Sequence, residues 1–375
     1  MKNKKMKRSL ILAPAILVAL FLLTSFVLKE KNARERTTNR AKAAVMPIIF
    51  RSADGGQTWQ DISAGLPENL KRTGVRRDGF FATDRGVYLR AGNGVYHSES
   101  NSTSQFWTKD MLRGEQGNIS PGRNGIFAYD FRGQFLKRID GKSDWSPVYA
   151  NFQEQAVRLN KTVDWMYTNY KEKQVSSVFE TAGGAVFIGS NNAIYKSANS
   201  GKTWKYVPVA GWVLKMAESN GMLLAASSKG IFKSTDDGEN WGRVIDEGGA
   251  GIAVERIDGG FAAIVNNIIT HTNTIHISLD NGKTWNAIGE ELQPSWSSSL
   301  LEKTGLHQSS PAILSIKQMG KYLICGRSDG IFRSADMGKT WKKLSLPAID
   351  PTIENFGFDL SVSGNVMYVV PNKGC

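Results

Sequence analysis

The sequence predicts an all-β fold: a seven-bladed β-propeller of four-stranded antiparallel blades. N- and C-terminal strands share one blade, and one transmembrane helix precedes the whole. Three observations predict it. The pattern Ser-x-Asp-x-Gly-x-Thr-Trp occurs in five near-complete copies. Seven tryptophans recur 48, 38, 59, 37, 44 and 56 residues apart. A strand-like apolar run precedes the copies. Repeats of about 40–50 residues in a Gly- and aromatic-rich chain are the mark of radially repeated sheets.

The five copies hold Ser52, Asp54, Gly56, Thr58 and Trp59; Ser197, Asn199, Gly201, Thr203 and Trp204; Ser234, Asp236, Gly238 and Trp241; Ser278, Asp280, Gly282, Thr284 and Trp285; and Ser334, Asp336, Gly338, Thr340 and Trp341. Degenerate copies end at Trp107 and Trp145. Each residue type suits a tight turn. Asp or Asn accepts hydrogen bonds from turn amides, and Gly supplies a positive φ. The hydroxyls tie the hairpin ends together. Trp opens the next strand and offers a large face for packing between sheets. These positions are therefore expected to be structural.

Two further strand-like runs lie upstream of each motif, giving four strands per unit. The first motif lacks that pair, and the C-terminal end carries an orphan pair, Phe358–Val362 and Val366–Val370. Joining the orphans predicts one blade from 47–62 and 356–371, with six more at 71–111, 117–148, 172–208, 210–246, 249–291 and 311–345. Such closure leaves no open edge between the first and last units. Segments 151–171 and 289–309 and the loop 347–355 fall outside the pattern. All three join an outer strand to the next inner strand, so they are expected on one face, opposite the Asp-containing hairpins. That face would carry Trp165, Tyr167, Tyr170 and Trp296 as a binding surface.

Ahead of the propeller (47–371) the sequence divides into a basic tail (1–9), an apolar run (10–28) and a polar linker (29–46). Nineteen residues, apolar but for Thr24 and Ser25, at about 1.5 Å each match the roughly 30 Å hydrocarbon core of a bilayer. The run reads as a signal anchor holding an exported, periplasmic or extracellular propeller; the alternative is a long signal peptide cut after Ala43. The net charge of +13 is concentrated here, with 11 basic and 2 acidic residues among the first 42. The remainder, with 36 basic and 32 acidic residues, shows no basicity that would suit a nucleic acid.

The Ser-x-Asp-x-Gly-x-Thr-Trp copies resemble the Asp-box, or bacterial neuraminidase, repeats of sialidases, sortilin-type propellers, xyloglucanase-type glycoside hydrolases and photosystem II assembly-factor-like propellers. The resemblance covers 47–371 and implies the fold; enzymes and non-enzymes share it. Sialidase resemblance would imply six blades, an Arg-Ile-Pro motif, three carboxylate-binding arginines and a Tyr–Glu nucleophile pair. Arg-Ile-Pro is absent, the expected count is seven, and no arginine maps onto the triad. Another glycosidase would need two facing carboxylates; loop candidates are Glu154, Asp164, Glu290, Glu291, Asp350 and Glu354. The four histidines are dispersed, and no cofactor motif occurs, so neither metal nor cofactor is expected. The sequence thus points to a non-catalytic extracytoplasmic binding or assembly scaffold for a protein or glycan, held to a membrane by its helix. A sialidase-like glycoside hydrolase is the alternative.

Overall fold

A computed structural model describes residues 47–67, 70, 75–76, 78–92, 94–99, 107–112, 117–130, 135–146, 175–245, 249–267, 269, 272–292, 311–347 and 357–372. Its strands, in chain order, are β1 (Phe50–Ser52) and β2 (Gln60–Asp61); β3 (Phe80–Thr83), β4 (Gly86–Ala91), β5 (Gly94–Ser98) and β6 (Thr108–Met111); and β7 (Asn118–Gly122), β8 (Gly125–Tyr129) and β9 (Phe135–Ile139). They continue with β10 (Ser177–Glu180), β11 (Val186–Ser197), β12 (Lys205–Ser219), β13 (Met222–Ser227), β14 (Gly230–Ser234) and β15 (Gly242–Ile245). The last are β16 (Gly249–Ile257), β17 (Gly260–Asn267), β18 (Thr272–Ser278) and β19 (Asn286–Ile288); β20 (Ile313–Met319), β21 (Tyr322–Arg327), β22 (Gly330–Ser334) and β23 (Lys342–Lys343); and β24 (Gly357–Ser363) and β25 (Val366–Asn372).

All pairings between these strands are antiparallel, as expected of hairpins following one another along the chain. The first and last strands meet in one sheet ordered β2-β1-β25-β24. There Phe50 lies opposite Val369 and Ser52 opposite Met367. The inner strands β24, β3, β7, β10, β12, β16 and β20 each touch the next round the axis, and β20 returns to β24.

The expected seven blades of four strands are corrected to six sheets among the described residues. The regions 172–208 and 210–246 do not separate. β12 runs unbroken from one to the other and joins them as β10-β11-β12-β13-β14-β15. Gly211, at φ +80°, bends this strand where a Cβ would lie 2.5 Å from the Ser228 hydroxyl. The two halves then face each other across Phe187, Ile194, Val213, Met216 and Phe232. The sheet at 117–148 has three strands, β7-β8-β9, plus a single bridge from Lys137 to Ser146.

The expected membrane helix is also corrected. No helix among the described residues is long and apolar enough to cross a membrane. Residues 10–28, where the transmembrane helix or signal anchor was placed, lie outside the described residues. The membrane partner, the cell-envelope assignment and the exported localisation rested on that helix and are withdrawn with it.

The repeated hairpins share one hydrogen-bond pattern. In the first, the Ser52 hydroxyl donates to Asp54 at 2.8 Å and accepts the Gly56 N–H at 2.8 Å. Asp54 accepts the N–H and hydroxyl of Thr58, the latter at 2.5 Å. The same bonds recur at Ser278, Asp280, Gly282 and Thr284, and at Ser334, Asp336, Gly338 and Thr340. Asn240 replaces the threonine in one copy, donating to Asp236 at 2.7 Å. Asn199 replaces the acid in another, donating to the Thr203 hydroxyl at 2.8 Å. These bonds favour the ionised carboxylate. Asp236, held chiefly by the Asn240 N–H, and Asp336, held chiefly by the Thr340 hydroxyl, fall to about 2. Each glycine is left-handed, and so is the residue before it: Gly55, Ser200, Asp237, Asn281 and Met337.

A side chain just before the box serine ties several hairpins to the next. Lys196 Nζ bonds Asp237 at 2.9 Å and Glu239 at 2.8 Å, Lys233 Nζ bonds the Gly282 carbonyl at 2.9 Å, and Arg333 bonds the Gly55 carbonyl at 2.6 Å. Among the described residues, the seven repeat tryptophans each pack on a different hydrophobic cluster; Trp204 is the most buried of them.

Two predictions follow from the hairpins. A Cβ on Gly238 would lie 2.4 Å from the buried Phe187 ring, whereas one on Gly282 meets only the flexible Lys233 stem, at 3.2 Å. Both sites carry left-handed strain of about 1–3 kcal/mol for a non-glycine residue. Gly238→Ala should cost about 1–3 kcal/mol more than Gly282→Ala, from overpacking; urea midpoints of the two variants check this. Asp336→Ala should lower the urea midpoint at pH 7. The folded carboxyl, at about 2, lies below the ordinary unfolded value of about 3.9. Its contribution is therefore complete above the unfolded value and disappears as pH falls toward 2, so the gap to the parent chain should narrow over that interval.

Candidate functional site

The inner strands surround a central cavity of about 380 Å³, to which β3, β7, β10, β12, β16, β20 and β24 all contribute. Much of the wall is apolar, with Phe80, Ile119, Val178, Met216, Leu360 and Val362. Hydroxyls stitch one inner strand to the next. Ser120 donates to the Val178 carbonyl at 2.8 Å, Ser177 to the Val213 carbonyl at 2.9 Å, and Ser361 accepts the Ala82 N–H at 2.7 Å.

Three charges on consecutive inner strands stand out from this wall. Glu255 of β16 lies between Lys215 of β12 and Lys317 of β20. Its Oε1 is 2.7 Å from Lys215 Nζ and 2.5 Å from Lys317 Nζ. All three strands carry a β-bulge ahead of the cluster residue, with Leu214, Ile252 and Leu314 as the extra residues. A bulge re-aims the side chains that follow it. The cluster therefore depends on three matching irregularities. Burial opposes ionisation of Glu255, but the two ammonium groups outweigh it and hold the carboxyl below its usual value. Burial likewise works against Lys215, and Glu255 overcomes it, so this amine is raised. At Lys317 burial prevails over Glu255, Lys215 repels, and the amine is lowered.

The other polar groups of the cavity are differently engaged. Glu218 accepts the Ala182 N–H at 2.7 Å. Burial pushes the Tyr129 phenol well above its usual range, and its hydroxyl meets the Val178 backbone and Asn118. Arg256 is the single arginine among the described lining residues. Of the arginines outside the cavity, Arg85 bonds Asp140 and the Gly122 carbonyl, and Arg327 pairs with Asp329 and the Leu292 carbonyl. They serve loops and hairpins, not the cavity.

The aromatic face expected from Trp165, Tyr167, Tyr170 and Trp296 lies outside the described residues, as do Glu154, Asp164, Asp350 and Glu354. Glu290 and Glu291 open a 3-10 turn, and Glu291 accepts the Trp341 N–H, closing a hairpin. Cys325 is buried, and burial pushes its thiol up to about 12. Lys215, Glu255 and Lys317 escaped the reading of the sequence. Their one signal was charge within three otherwise largely apolar inner runs: Lys215 in Val213–Ala217, Glu255 with Arg256 in Ala253–Ile257, and Lys317 in Ile313–Met319.

The family model for the DUF6242 beta propeller domain matches residues 160–373, more than half of the chain. The chain belongs to that family. No curated protein matches it. Among solved structures it is similar to YCF48 from Cyanidioschyzon merolae, with 13% identity and a TM-score of 0.49 over 78% of this chain and 93% of that one. A structure of YCF48 bound to D1 peptide gives 16% identity and a TM-score of 0.47 over 80% and 95%. An ancestral GH74 enzyme gives 13% identity and a TM-score of 0.50 over 86% of this chain but 45% of that one. At 13% identity the likeness to the GH74 structure speaks for the fold alone. The DUF6242 match carries the family but does not assign the chain to a sialidase-type subgroup.

The cluster yields a stability prediction. Glu255→Gln would leave two ammonium groups facing each other. The loss should be about 1–3 kcal/mol, below the roughly 3–5 kcal/mol of a fully buried pair, because water reaches the amine tips. Adding Lys317→Met should recover part of it. Chemical denaturation of the single and double variants checks this.

Proposed function

We propose that this DUF6242 propeller is a non-catalytic binding or assembly scaffold that recognises a protein or glycan partner. The observation that supports the reading is the chemistry of the central cavity. A sialidase-type site uses clustered arginines against a substrate carboxylate and a Tyr–Glu nucleophile. Among the described residues the cavity offers one arginine, a phenol driven away from ionisation, and a glutamate already held by two lysines. A tied carboxylate is a poor general acid, because ammonium partners keep it ionised.

In this reading the partner meets the loops 151–171, 289–309 and 347–355, with Trp165, Tyr167, Tyr170 and Trp296 as anchors. Aromatic side chains supply most of the contact energy at such surfaces. The Asp-box residues hold the frame and make no contact with the partner.

Replacing 289–309 by a short Gly-Ser bridge tests the proposal. The shortened chain should keep its β-sheet circular dichroism and its melting transition, and should lose recovery of the partner that the full chain captures. Unchanged recovery would sink the loop-face reading. Hydrolysis of a fluorogenic sialoside or xyloglucan oligosaccharide above the buffer rate by the full chain would overturn the non-catalytic reading.

A further inference from the structure

Two lysines approach one carboxylate oxygen inside a cavity large enough for a small organic molecule. Their nitrogens can be no further apart than the sum of the two contact distances. The side chain of Lys317 is 21% exposed and that of Lys215 35%, so Lys317 is the better enclosed. We propose that Lys317 is an amine nucleophile that captures small carbonyl compounds in the central cavity as a Schiff base. The 2-oxo acids are the favoured class, since the Lys215 ammonium lies beside Lys317 to receive their carboxylate. The proposal stands apart from partner binding at the loops and can fail without it.

The surroundings supply what such a step needs. A lysine becomes nucleophilic when an apolar wall and a neighbouring cation disfavour its protonated form. Leu360 and Val362 contribute to the wall of the same cavity, and Lys215 is the cation. Three carboxylates act in the opposite sense: Glu255 by contact, Asp359 of β24 through space, and Asp78, ahead of β3, on Lys215. Burial and the second ammonium nevertheless leave Lys317 lowered while Lys215 is raised. Lys317 is thus the amine that adds, and Lys215 the one that carries a proton to supply.

The step balances within the cluster. The neutral Lys317 nitrogen adds to the carbonyl carbon, forming a C–N bond. The π pair moves to oxygen, which takes a proton from Lys215. The new ammonium centre gives its proton back to Lys215. Lys215 passes that proton to the hydroxyl, which leaves as water while the nitrogen lone pair forms C=N. The iminium proton passes back to Lys215. Amine and carbonyl become imine and water, and no oxidant is consumed.

The test uses the full chain, pyruvate and sodium cyanoborohydride, with the adduct on each lysine-containing peptide followed by mass spectrometry. Exposed Lys339 is the internal reference. At neutral pH the Lys317 peptide should be labelled several-fold faster than the Lys339 peptide. The midpoint of its pH–rate curve should lie below the ordinary lysine value of about 10.4. Lys215→Met should move that midpoint upward, a change that a purely structural lysine would not show. Labelling of Lys317 at or below the Lys339 rate in the unmodified chain would overturn the proposal. So would adduct on Lys215 in its place, or a midpoint unmoved by Lys215→Met in a variant that melts as the parent does.

Discussion

A serine hydroxyl at the base of the five repeated hairpins is the interaction on which the rest of the propeller depends. It accepts the N–H of the glycine four residues on and donates to the Asp or Asn two residues on. With both bonds made, two successive residues are held left-handed and the tryptophan sits just ahead of the following strand. The preceding cation, at Lys196, Lys233 and Arg333, then reaches the next hairpin. A local turn is thereby converted into a contact between neighbouring sheets.

Much of this was legible in the residues. Turn chemistry is local, so Asp54, Asp280 and Asp336 betray their hairpins without tertiary information. The sharing of one sheet by the two ends was legible because the first unit lacked two strands and the last had two to spare. The sheet count was not. A boundary was expected between 208 and 210, yet β12 runs through it and carries its hydrogen bonds on both sides of Gly211. Nor was the cavity cluster visible. An alternating pattern predicts which face a residue occupies, and the bulges at Leu214, Ile252 and Leu314 shift that alternation midway along the strands.

The central cavity shows how one geometry serves two demands. Inner strands crowd the axis, and glycine is required where the strand behind one of them meets a neighbouring inner strand. A Cβ on Gly326 would lie 2.3 Å from the Phe358 carbonyl oxygen, and one on Gly189 would lie 2.5 Å from that of Val213. Serine hydroxyls and the Lys215–Glu255–Lys317 cluster bind the same strands laterally. The groups that keep the ring from spreading are therefore also the groups that a molecule in the cavity meets. Any ligand there contacts polar atoms already committed to the frame, so its binding and the tightness of the ring are thermodynamically coupled.

The meeting of β1 with β25 has a consequence for how the protein is made. During synthesis, β1 leaves the ribosome more than 300 residues before its partner. At about 5–20 residues per second, it waits roughly 15–60 s before the ring can close. Throughout that interval every intervening sheet can form, but Phe50 and Arg51 offer an unpaired edge to any other strand nearby. The nascent chain thus carries this open edge until β25 emerges, and the arrival of that strand governs the yield of closed molecules.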